Sequence, residues 1–125
     1  MMTKPGKTGI ARLIAAVGYS FHGFKAAWRY EEAFRLEATL AIIFVPLSFI
    51  ITHDITHQIA LLITCALVVI AELVNSAIEA VVDRISSDIH PLSGQAKDIG
   101  SAAVFVTLIL FITAWGLSIW QYFNP

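Results

Sequence analysis

Three stretches of this chain run for helix length with scarcely a charge among their aliphatic and aromatic positions. Ile59–Val82 and Ser101–Trp120 each reach the roughly 20 residues a helix needs to cross the hydrocarbon of a bilayer. The third, Ala38–Thr52, is shorter and contains Pro46. Adding Phe34–Glu37 at its polar end brings it to about 19 residues, and membrane helices accommodate an interior proline by a local kink. Membrane spans are therefore predicted over 34–52, 59–82 and 99–122, with a polar loop over 83–98.

A different period precedes them. Ile10, Leu13, Ile14, Val17, Phe21, Phe24 and Trp28 fall within about 100° of one another on a helical wheel, and Arg12, His22, Lys25 and Arg29 lie outside that stripe. The pattern predicts an amphipathic helix over 9–30, suited to lying in a membrane interface. Gly18 and Gly23 weaken it in isolation, so it needs a surface to rest on, either the bilayer or the protein itself.

Composition agrees with the pattern. Hydrophobic residues make up 58% of the 125 and charged residues 14%, against roughly 45–50% and 25% in soluble domains. The chain reads as a single all-α integral membrane domain spanning 1–125. A net charge of −1 offers no basic footprint for nucleic acid. The single cysteine, Cys65, has no partner for an intrachain disulfide. The basic N-terminus lacks the uninterrupted apolar core of a signal peptide.

Charge also sets an expected orientation. Every lysine and arginine falls between Lys4 and Arg35 or in the Arg84–Lys97 segment, while HDITH at 53–57 has none. The positive-inside rule then puts the N-terminus and the 83–98 segment in the cytoplasm and HDITH on the far side, with Trp120 and Tyr122 as interfacial anchors.

The second span carries the chemistry. Within AELVNSAIEAVVDR (71–84), taking Glu72 as zero, Glu79 lies at about −20°, Asp83 at about +20°, Asn75 at about −60° and Ser76 at about +40° around the helix. The polar groups form one stripe that runs from within the bilayer to its cytoplasmic edge. Asn75 and Ser76 are of the kind that bonds neighbouring helices. Glu72 is different: no lysine or arginine lies deep enough in the spans to neutralise it, so it must be protonated, hydrated or facing a ligand. Glu31, Glu32 and Glu37 are expected at the same level as Glu79. Carboxylates converging from two segments, without a Cys/His cluster, suit a hard ion such as magnesium. On spacing alone, residues such as Glu31 and Glu32 are more often solvated charges than ligands. In SSDIHPLSGQAKDIGS, Lys97 offers a cation for phosphate, Gly94 and Gly100 allow close backbone approach, and His90 adds a ring. Taken together these features point to phosphoryl transfer at a membrane surface. PGKTG at 5–9 is not a P-loop, because the motif's first glycine and preceding strand are lacking. His53, Asp54 and His57 imitate a metal site only superficially.

ELVNSAIEAVVDR (72–84) and LSGQAKDIGSAAV (92–104), with RLIAAVGYSFHGFKAAW (12–28) and EEAFRLE (31–37), closely resemble the prokaryotic diacylglycerol kinases. The resemblance implies three transmembrane helices behind a surface helix, in the bacterial inner membrane, assembled as a homotrimer with shared active sites. It implies transfer of phosphate from magnesium-ATP to diacylglycerol. By the same resemblance Glu72 is the catalytic base and Asn75 a polar active-site residue. Glu31 and Glu79 are the magnesium ligands, with Glu32 a competitor for Glu31. Arg12, Tyr19, Asp88, His90, Lys97 and Asp98, together with Glu31 and Glu79, contact ATP. Ser20, Trp28, Arg35, Glu37, Glu72 and Ser101 contact lipid. Gln95 stands where the family commonly has arginine. Two other functions fit parts of the pattern: an undecaprenol kinase with the same catalytic residues, and a small proton-coupled transporter using Glu72.

Overall fold

The computed structural model describes residues 8–85 and 87–125, so residues 5–7 of the PGKTG stretch lie outside it. The described residues form four helices: α1 (Gly9–Tyr30), α2 (Glu32–Ile51), α3 (Ile55–Ile85) and α4 (Pro91–Phe123). By length and composition α2, α3 and α4 are each able to cross a membrane. α3 is the centre of the bundle, packing along α4 and along α2, while α1 meets mainly α2.

The buried positions of α3 explain its central place. Gln58, Leu61, Cys65, Val68, Glu72 and Asn75 are spaced by alternating threes and fours and, with the adjoining Thr64 and Ser76, form one seam along its length. α4 answers with Gly100, Val104, Trp115 and Ser118. Where the helices meet, Leu61, Cys65 and Trp115 make an apolar cluster against Phe44, Leu47 and Phe111. The Phe44 ring stands edge-on to Trp115 at 4.8 Å and to Phe111 at 5.1 Å between centroids, an arrangement that aromatic quadrupoles favour. Pro46 lies inside α2, and the helix continues through it.

The connections are short. A single residue, Glu31, separates α1 from α2. Its backbone is extended (φ −115°, ψ 105°), its N–H donates to Ala27 O at 2.9 Å, and its carbonyl accepts from Arg35 N at 3.1 Å. The Arg35 guanidinium ties the corner by donating to the Trp28 and Arg29 carbonyls at 2.8 and 3.2 Å, the usual role of a cation at a helix C-terminus. At the other end of the bundle Asp54 opens α3. Its carboxylate accepts from the His57 backbone N–H at 3.2 Å and meets the His57 ring at 2.6 Å. Those His57 hydrogen bonds hold the Asp54 carboxyl below the usual carboxylate range. This cap is therefore intact above that range and is lost as pH falls through the depressed value.

The segment read as a polar loop, 83–98, is mostly helical. α3 continues to Ile85 and α4 begins at Pro91, so SGQAKD forms the first turns of α4. Proline at N1, behind an N-cap residue, is a favourable way to start a helix, and His90 supplies the cap by accepting from Leu92 N at 3.1 Å through Nδ1.

A polar contact that sequence periodicity does not reveal sits near the far end. Gln58 Nε2 donates to Ser48 Oγ at 2.6 Å, joining α3 to α2 where both side chains are buried. Ser48→Ala leaves the buried Gln58 amide short of a partner, and should lower stability in detergent by about 1 kcal/mol. Ser48→Ala combined with Gln58→Leu removes both polar groups and should recover most of that loss in thermal melts.

Candidate active site

Glu72, Asn75 and Ser76 turn from α3 into the bundle, at 6%, 7% and 8% exposure. Glu79 is half-buried and Asp83 is exposed, so the stripe grades from the interior of the bundle to its surface. Glu37 reaches from α2 so that its carboxyl contacts that of Glu72, and Ser76 lies beside Glu72 on the same helix. Glu31 and Glu79 are close enough to act electrostatically on Glu72. Acidic side chains from α2, from α3 and from the α1–α2 corner thus surround one buried carboxyl. Asn75 orients the next in line: its Nδ2 donates to Glu79 Oε1 at 3.0 Å.

Two concave surfaces adjoin this cluster. A largely apolar groove of about 580 Å³ lies between α1 and α3, lined by Phe24, Ala27, Tyr30, Leu73 and Ala80, with Ser20, Glu31 and Ser76 as its polar members. A second, more polar hollow of about 430 Å³ lies at the α3–α4 connection, lined by Asp83, Ser87, Asp88, His90, Gly94 and Lys97 among others. Lys97 Nζ pairs with Asp83 Oδ1 at 2.6 Å and also acts electrostatically on Glu79. Along α3 the distance from Glu72 to Asp83 is about 16 Å, so a ligand of nucleotide size is long enough to reach from one to the other.

The anticipated residues divide among these features. Glu31, Glu37, Glu72, Asn75 and Glu79 come together, while Asp88, His90 and Lys97 share the second hollow. Ser20 lines the groove and donates its hydroxyl to Ala16 O at 2.9 Å. Arg12, Trp28, Asp98 and Ser101 are exposed, and Tyr19 is 41% exposed on α1. Arg12 and Tyr19 are not among the lining residues of the second hollow. Glu32 is exposed on the first turn of α2, whereas its neighbour Glu31 faces the groove. Arg35 and His90 have backbone partners of their own, as described above. Among the described residues no three His, Cys, Asp or Glu side chains form a group able to hold a metal ion by themselves.

One sequence expectation is corrected. Gly100 does not open the backbone to a phosphate: it is buried, and its α-carbon faces Asn75. Gly94, by contrast, has open space around it and does line the second hollow. Two roles were missed. The Glu37–Glu72 contact depends on how α2 meets α3, which helical periodicity does not specify. The His90 cap was readable, because the His-Pro pair stands directly before an apolar helical pattern.

His90→Ala should loosen the first turn of α4, at a cost of about 1 kcal/mol, and speed amide exchange at Leu92. His90→Asn, which retains a capping side chain, should leave that exchange close to the original rate.

The sequence profile of the family described as "Prokaryotic diacylglycerol kinase" matches residues 18–119. A diacylglycerol kinase of Escherichia coli (strain K12) is 45% identical over 117 residues, covering 94% of this chain and 96% of that protein. One from Pseudomonas aeruginosa is 46% identical over 110 residues, covering 88% and 89%. One from Helicobacter pylori (strain J99) is 39% identical over 121 residues, covering 96% and 94%.

Proposed function

The chain belongs to the prokaryotic diacylglycerol kinase family, and on that premise we propose that it transfers the γ-phosphate of ATP to the hydroxyl of diacylglycerol at Glu72, yielding phosphatidic acid. The observation that carries this reading is the setting of the Glu72 carboxyl: buried on α3, with Glu31, Glu37 and Glu79 acting on it, beside Ser76 of the apolar groove, and with a polar hollow that holds Lys97 further along α3.

The lipid enters by the groove, whose Phe24, Ala27, Leu73 and Ala80 lining accepts an acyl chain and leaves the glycerol hydroxyl near Ser76 and Glu72. ATP occupies the hollow at the α3–α4 connection, with Lys97 released from Asp83 to meet phosphate. In the transfer, the lipid oxygen forms a bond to the γ-phosphorus and the bond from that phosphorus to the bridging β-oxygen breaks. Glu72 takes the hydroxyl proton, and ADP departs. Holding both substrates in line, and balancing charge on the phosphates, supplies most of the acceleration.

Magnesium fits the residues present. It is ordinarily held by one or two carboxylates together with substrate phosphates, not by an all-protein cage. Glu31 and Glu79 make such a pair, and the groove-facing position of Glu31 supports it over the exposed Glu32. When bound, the ion neutralises charge on the phosphates.

α1 is assigned to the cytoplasmic interface of the inner membrane, with the N-terminus in the cytoplasm. Supporting this, all seven residues of its apolar stripe, from Ile10 to Trp28, are exposed, Phe24 at the rim of the groove. Arg12 and Tyr19 lie outside the hollow assigned to ATP. Their nucleotide role is then best met across subunits of a homotrimer with shared sites. The names of the relatives favour diacylglycerol over undecaprenol as the alcohol, and kinase relatives leave the transporter without support.

Glu72→Gln should lower kcat by about 10²–10⁴-fold in labelled phosphate transfer from ATP to diacylglycerol in mixed micelles, with the protein still folded. Turnover at the original rate removes Glu72 from the mechanism. Lys97→Ala should chiefly raise the KM for ATP, and an unchanged KM counts against that assignment.

A further inference from the structure

We propose that Gly100 is a positioning residue for the phosphotransfer site, acting through Asn75. A Cβ at position 100 would overlap Asn75 Oδ1 and crowd Cγ, and the nearest further neighbour is Ile78 Cδ1 at 3.8 Å. The hydrogen that takes the place of Cβ in glycine therefore points at the amide oxygen. Asn75 Oδ1 is buried and has no hydrogen-bond partner among the described residues, so a weak Cα–H···O contact and sterics set its position. With the oxygen turned to Gly100, Nδ2 is turned to Glu79 Oε1, 3.0 Å away. The absent side chain on α4 thus decides which way the Asn75 amide faces, and through it how the Glu79 carboxylate is held.

Alanine at 100 has two ways to fit. Either the Asn75 amide swings away, releasing Glu79, or α4 withdraws from α3. Glycines at 94 and 116 carry no such constraint, because nothing lies within 4 Å of a Cβ built at either. The inference rests on the reading of Glu72, Asn75 and Glu79 as the site, and its test separates the two.

Gly100→Ala should lower kcat on the order of 10²-fold, as a side-chain misplacement of about 1 Å does, while the KM for diacylglycerol stays near its original value. It should also move the Asn75 side-chain amide resonances in ¹⁵N NMR spectra of the protein in detergent, assigned by their loss in Asn75→Ala. Gly116→Ala, on the same helix, should do neither. In an Asn75→Ala background the added Gly100→Ala change should cost nothing more in activity or in Mn²⁺ binding followed by EPR with a non-hydrolysable ATP analogue, since the methyl then meets no oxygen. If Gly100→Ala does not fold, the double variant should recover folding, and failure to do so overturns the proposal. Unmoved Asn75 resonances, or an equal loss in both backgrounds, also overturn it. Full activity in Asn75→Ala itself defeats the reading of the site beneath it.

Discussion

Burying a carboxyl in a helical seam is the constraint on which the rest of this structure depends. Glu72 lies at 6% exposure in a helix long and apolar enough to cross a membrane, with other acids around it and no cation acting on it among the described residues. An isolated ionised carboxylate there would cost far more than a small bundle recovers from packing. The neighbouring elements answer that demand: Glu37 from α2 contacts it, and Ser76 lies alongside. The cluster leaves an excess of acidic groups, the feature on which the proposed binding of a proton or a cationic ligand rests.

The two ends of α3 meet the same problem differently. Toward HDITH, polar groups are few and are absorbed within the bundle: Gln58 takes Ser48, and the aromatic cluster around Trp115 fills the space between helices. Toward the α3–α4 connection, polar groups become denser and more exposed, ending in the Lys97–Asp83 ion pair. Buried packing is thus concentrated at one end and exposed charge at the other. The contact of Asn75 with Gly100 lies where these regimes join.

Much of this was legible in the residues. The three long apolar helices and the shared face of the polar residues on α3 follow from hydrophobic spacing, because a helix fixes which residues share a face. Partnerships between helices were not legible. Nothing in the spacing of Glu37 or Gly100 states which residue of α3 each will meet, since that depends on crossing geometry and helix register. The 83–98 segment misleads for a related reason. Its polar residues read as loop, yet polar side chains are ordinary on a helix that projects beyond the hydrocarbon, and the Pro91 start was the better guide. Arg35 and His90 show a further limit: residues counted for ligand chemistry also serve as caps for helix ends.

The corner at Glu31 has a consequence for how the chain tolerates change in length. With one residue between two helices, deleting a position draws a helical residue into the joint and so turns α1 by about 100° about its own axis relative to α2. Such a turn would carry Phe24 and Ala27 away from α3 and swing the Ile10–Trp28 face off its level at the same time. The count of residues across this joint is therefore constrained as tightly as the side chains it positions.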